Sequence, residues 1–197
     1  ADFIPLAEET GLIVDMGRWA LKQAARDFGG KGETTRVAVN VSPVQFRESN
    51  LIYDIKQALE ESDLAPEQLE IEITEDVLIE DNANTLKILE GIRKLGVGLS
   101  LDDFGAGYSS LSYLSRYPFS KLKIDRYFID QMIRDKRSQS LVKSILSLAN
   151  NMGMKVTAEG VETDEHAAVL AGMGVDTLQG FHFSRPCSEA DLKKRYP

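Results

Sequence analysis

The chain has 197 residues, enough for one compact domain with a sizeable core. Acidic residues outnumber basic ones by 31 to 23, a formal charge of −8, which argues against electrostatic binding to a DNA or RNA polymer. A single cysteine, Cys187, excludes an internal disulfide framework and suits a reducing, cytoplasmic compartment, and no apolar run approaches the length of a membrane span.

Short β-rich runs alternate with amphipathic stretches. A helix is predicted over residues 14–28, with Trp19 in its core stripe beside Met16 and Ala20. A strand over 36–42 and a helix over 50–62 follow. Next come a strand over 69–74 and a helix over 81–95, with Asp81 as N-cap and Gly96 as stop signal. A strand over 97–102 leads to a short helix within 109–117. A strand over 121–125 precedes a short helix over 126–134 and a long one over 137–152, ended by Gly153. A strand over 155–158, a helix over 164–173 and a strand over 176–180 come next. The last helix is expected from Ser188, after Pro186. No linker or low-complexity tract divides the chain, so it reads as one domain over 1–197. It opens mid-pattern at Ala1-Asp2-Phe3-Ile4-Pro5, and so reads as incomplete at its N-terminus.

Repeated strand–helix units imply parallel strands with helical crossovers, hence an α/β fold. Each predicted strand carries a polar residue at or near its C-terminal end: Asn40, Glu72, Asp102, Lys123, Glu159 and Gln179. In a parallel barrel these ends converge on one mouth, whereas an open sheet spreads them along a line. The pattern therefore favours a modified TIM (β/α)8-type barrel. Six strands fall short of eight, so about two are expected to be missing from this chain.

The adjacent acids Asp102-Asp103 end a hydrophobic run and open the loop Phe104-Gly105-Ala106-Gly107-Tyr108-Ser109-Ser110. Neighbouring carboxylates repel each other unless a proton or cation sits between them. Singly, each candidate has an ordinary reading: Asn40 as a turn residue, Glu72 and Glu75 as solvated acids, Lys123 as a surface lysine. Glu159 and Glu162 could simply open a helix. Together, hard oxygen donors at several strand ends suit Mg2+ or Mn2+. Two such ions bridged by one aspartate form a clamp for in-line displacement at phosphorus. His166 and His182 lack ligand-like spacing, and Cys187 beside Pro186 reads as a packing residue rather than a nucleophile.

These motifs resemble the EAL domain, a family that hydrolyses the bacterial second messenger cyclic di-GMP. The matching segments are Asn40-Val41-Ser42-Pro43, Glu72-Ile73-Thr74-Glu75, Asp102 to Ser110, Leu122-Lys123-Ile124-Asp125, Ala158-Glu159-Gly160-Val161-Glu162 and Gln179-Gly180-Phe181. The resemblance runs from Phe3 to Pro186 and implies a modified TIM barrel. By resemblance, Asn40, Glu72 and Asp102 ligate one metal, Mg2+ or Mn2+. Asp102 bridges to a second ion, which Asp103 also holds, and Glu159 helps to organise both. Lys123 contacts the attacking water, and Glu75 supports the glycine-rich loop. Glu162 and Gln179 lie near the substrate. The implied reaction opens one phosphodiester with departure of the 3′ oxygen, giving linear pGpG.

The Glu-Ala-Leu tripeptide that names the family is absent, and its expected place lies before Ala1. Its glutamate is a metal ligand, so the chain alone is expected to be poorly active. A truncated enzyme is favoured over a degenerate relative, because the other ligands are intact. A non-catalytic cyclic di-GMP receptor and a protein-interaction module are the alternatives. The resemblance further implies a homodimer and accompanying sensory or cyclase domains, in a parent protein that can be membrane-attached.

Overall fold

The computed structural model describes residues 3–30, 32, 35–79, 83–105 and 111–195. The chain divides into two compact units, residues 1–122 and 123–197.

The first unit begins with α1 (Ile4–Glu9) and α2 (Leu12–Phe28), then β1 (Val37–Asn40), α3 (Pro43–Glu48) and α4 (Leu51–Glu60). A 3-10 turn at Pro66–Gln68 leads into β2 (Leu69–Thr74). After it come α5 (Asp76–Ile79), α6 (Ala83–Lys94), β3 (Gly98–Phe104) and α7 (Leu111–Arg116). β4 (Lys121–Ile124) runs across the division. The second unit continues with α8 (Arg126–Met132), α9 (Lys136–Asn151), β5 (Lys155–Ala158), α10 (Asp164–Gly172), β6 (Thr177–Leu178) and α11 (Glu189–Arg195).

In the first unit β1, β2 and β3 are parallel neighbours. Asn40 stands opposite Glu72, Glu72 opposite Ser100, and Thr74 opposite Asp102. In the second unit β5 and β6 pair in parallel, and the Glu159 N–H donates to the Ile124 carbonyl at 3.1 Å. Side chains alternate across a strand. One face of β2 and β3 therefore carries Ile71, Ile73, Leu99 and Leu101, all fully buried. α4 and α6 contribute Ile55, Leu89 and Ile92 to the same core. Burial of each such aliphatic side chain stabilises the fold by about 1.5–3 kcal/mol.

Several expectations need correction. Trp19 is 68% exposed, not core. α2 buries Ile13, Leu21 and Ala25, and Trp19 lies about 200° round the helix from Leu21. Cys187 is exposed rather than packed in the core. β3 runs two residues past Asp102, so Asp103 lies within the strand end rather than beyond it. β1 stops before Ser42, whose hydroxyl accepts from the Gln45 N–H at 3.1 Å and caps α3. β6 starts after Asp176, because that carboxylate turns to Lys155 and to the Val156 N–H. The predicted cap Asp81 and the start of the 109–117 helix lie outside the described residues.

Candidate active site

The first unit gathers most of the expected metal ligands. Asn40 and Glu72 are register partners, and Asp102 sits two residues beyond Ser100, the partner of Glu72. Residues two apart on a strand share a face. Asn40, Glu72 and Asp102 thus lie on the face opposite the aliphatic core, at the carboxyl ends of three parallel strands. Asn40 is exposed, whereas Glu72 and Asp102 keep only 6% and 7% of their surface. One layer deeper on the same face of β2, Glu70 pairs with Lys121 at 2.6 Å.

Asp103 has φ 54°, a left-handed backbone that among non-glycine residues suits Asp and Asn best. Its N–H donates to the Asp102 carboxylate at 3.0 Å. This twist turns the second acid out of the strand, and Asp103 is exposed while Asp102 is buried. Two residues later the Gly105 N–H donates to Glu75 Oε1 at 2.9 Å, which ties the start of the glycine-rich loop to the end of β2.

The second unit holds the remaining candidates. Lys123, 3% exposed, forms an ion pair with Glu159 at 2.8 Å. A buried ammonium is costly unless it is paired, and Glu159 provides the partner. Glu159, Glu162 and Gln179 line one open recess of about 210 Å3, together with Arg126, Gly160, Gly180 and Phe181. Sequence reasoning missed Arg126 and Phe181. A signal for Arg126 was present: it follows Lys123 by three residues, as Glu162 follows Glu159.

The donor set fits a hard divalent cation. Asn40, Glu72, Asp102 and Asp103 offer only oxygen, three of the four are carboxylates, and two of those are buried on one sheet face. Buried like charges of this kind are stabilised by a cation.

Acidic groups at the carboxyl ends of parallel strands stand where parallel α/β proteins carry their chemistry. The chain belongs to the EAL domain family, whose model matches residues 1–186. Its fold class is that of the family, α/β and like a modified TIM barrel. Among curated proteins it resembles the bifunctional diguanylate cyclase/cyclic di-GMP phosphodiesterase MucR of Pseudomonas aeruginosa, 43% identical over 195 residues. That match covers 96% of this chain and 28% of MucR, so the chain spans less than a third of that relative's length. Among solved structures, the PaMucR phosphodiesterase in complex with c-di-GMP gives a TM-score of 0.91 at 41% identity. The match covers 97% of this chain and 79% of that one. The Klebsiella pneumoniae BlrP1 manganese/cy-diGMP complex gives 0.76 at 32% identity, covering 90% and 45%. BlrP1 also has a calcium/cy-diGMP complex. Among the described residues no helix is long and apolar enough to cross a membrane.

Proposed function

We propose that this domain hydrolyses one phosphodiester bond of cyclic di-GMP to linear pGpG, using two Mg2+ or Mn2+ ions. The observation that carries the reading is the alignment of Asn40, Glu72 and Asp102 on one sheet face, in a chain of the EAL family. In this reading Asn40, Glu72, Asp102 and Asp103 would hold the ions, and Glu159 would help to organise them. When bound, the ions supply an activated water and neutralise charge on the phosphate.

The chain's own groups do the rest. Lys123, held by Glu159, positions the attacking water and offsets negative charge that develops on the phosphoryl oxygens. Glu75 fixes the loop after Asp103 through the Gly105 N–H. Glu162 and Gln179 bound the recess in which part of the substrate rests. By the same family resemblance we infer a cytoplasmic site of action, in a homodimer and beside sensory or cyclase domains.

The test is to follow binding and turnover of cyclic di-GMP by the full-length protein. The reading expects pGpG with Mg2+ or Mn2+ and none after chelation. Tight binding without product would favour a receptor, and the absence of binding would favour a protein-interaction module.

A further inference from the structure

Lys123 and Arg126 stand three residues apart at the end of β4, and Glu159 and Glu162 stand three apart after β5. The fold pairs them rung by rung, Lys123 Nζ to Glu159 Oε1 at 2.8 Å and Arg126 Nη2 to Glu162 Oε1 at 3.1 Å. The inner rung is sheltered, with side chains 4% and 18% exposed. The outer rung is half-open at 56% and 38%. Arg126 is held from a second side, because its Nε donates to Asp130 Oδ2 at 3.2 Å, one turn along α8. Those two carboxylates, Asp130 foremost, raise the guanidinium pKa above its ordinary value.

The backbone makes room for this arrangement. Gly160 has φ +69°, and a Cβ there would lie 2.7 Å from Cβ of Arg126 and overlap its Cγ. The arginine stem therefore lies directly across Gly160, and any side chain at 160 would displace it. Arg126, Gly160 and Glu162 all line the open recess with Gln179 and Phe181.

A cyclic dinucleotide carries two phosphodiester charges. An uncompensated carboxylate on the wall of its pocket would repel it, most strongly where water is partly excluded. The Lys123 ammonium offsets Glu159 in the inner rung, and the outer rung needs an equivalent cation. We propose that Arg126 is an affinity-determining positioning residue: it neutralises and orients Glu162, so that the recess accepts an anionic nucleotide. The inference rests on the phosphodiesterase reading above and assigns a role to a residue outside the expected ligand set.

The test compares KM and kcat for cyclic di-GMP in the full-length protein and its Arg126→Gln, Arg126→Lys, Glu162→Gln and Arg126→Gln/Glu162→Gln variants. Thermal melts check that each folds. Arg126→Gln is expected to raise KM about tenfold, with the smaller share of the loss in kcat, and the defect should shrink as salt rises. Arg126→Lys should keep most of the affinity. Adding Glu162→Gln to Arg126→Gln should recover most of the lost affinity, which a purely structural arginine would not permit. A double variant no better than Arg126→Gln, or a loss confined to kcat, would overturn the proposal. If the wild type made no pGpG, the phosphodiesterase reading itself would fail and take this inference with it. The wrong ranking among variants of an active wild type would sink the inference alone.

Discussion

Asp103 combines a proposed chemical role with a backbone constraint. Its left-handed conformation costs most residues about 1–3 kcal/mol, and Asn tolerates it nearly as well as Asp does. Asp103→Asn should therefore abolish turnover while leaving the melting temperature close to wild type. Asp103→Val should abolish turnover and lower stability as well, by about 1–2 kcal/mol, because a β-branched residue resists that φ. Steady-state kinetics and thermal melts check both. If Asp103→Asn retained activity, the two-ion assignment would be wrong. A second residue-scale case is Asp176. Lys155 first, and then the Val156 N–H, hold its carboxyl below the usual carboxylate range. A depressed pKa adds stability above the unfolded value of about 3.9, and that stability is lost as pH falls through the folded value. Asp176→Asn should thus cost about 1 kcal/mol at pH 7 and progressively less below about pH 4, as read from denaturant melts at each pH.

At the scale of elements, the central strands are fixed by alternation and the helices by their buried stripes. α6 lays Thr85, Leu89 and Ile92 against the core at helical spacing. Leu89 is fully buried, so Leu89→Ala should destabilise the protein by about 2–5 kcal/mol without changing KM in the variant that remains folded. Equal stability of Leu89→Ala and wild type would contradict the packing described. β2 and β5 lie where their apolar runs predict, and Gly96 and Gly153 follow the ends of α6 and α9. The sequence misleads where a local polar contact competes with the pattern. Ser42 ends β1 by capping α3, and Asp176 leaves β6 for Lys155 and Val156. Trp19 shows a different failing: helical spacing identifies a stripe but not which stripe faces inward, and here Leu21 and Ala25 take the core side. In the candidate site, oxygen donors at strand ends were legible from their position in the strand–helix pattern. Arg126 carried only a faint signal, its spacing of three from Lys123, which repeats that of Glu162 from Glu159. Its meaning depends on Glu162, 36 residues away, and on the missing side chain at Gly160.

For the molecule as a whole, a formal charge of −8 is unfavourable for a doubly anionic substrate. The conflict is resolved locally. In the proposed reading divalent ions offset Glu72, Asp102 and Asp103, while Lys123 and Arg126 each answer one glutamate of the second unit. Cations therefore account for both the placement of these acids and the reaction assigned to them. The most direct measurement is the rate at which the full-length protein forms pGpG from cyclic di-GMP as Mn2+ is raised from zero. The account predicts no product in chelator and a rate that rises to saturation with metal. Product formed equally fast in chelator, or bound cyclic di-GMP with no pGpG at any metal concentration, would contradict it.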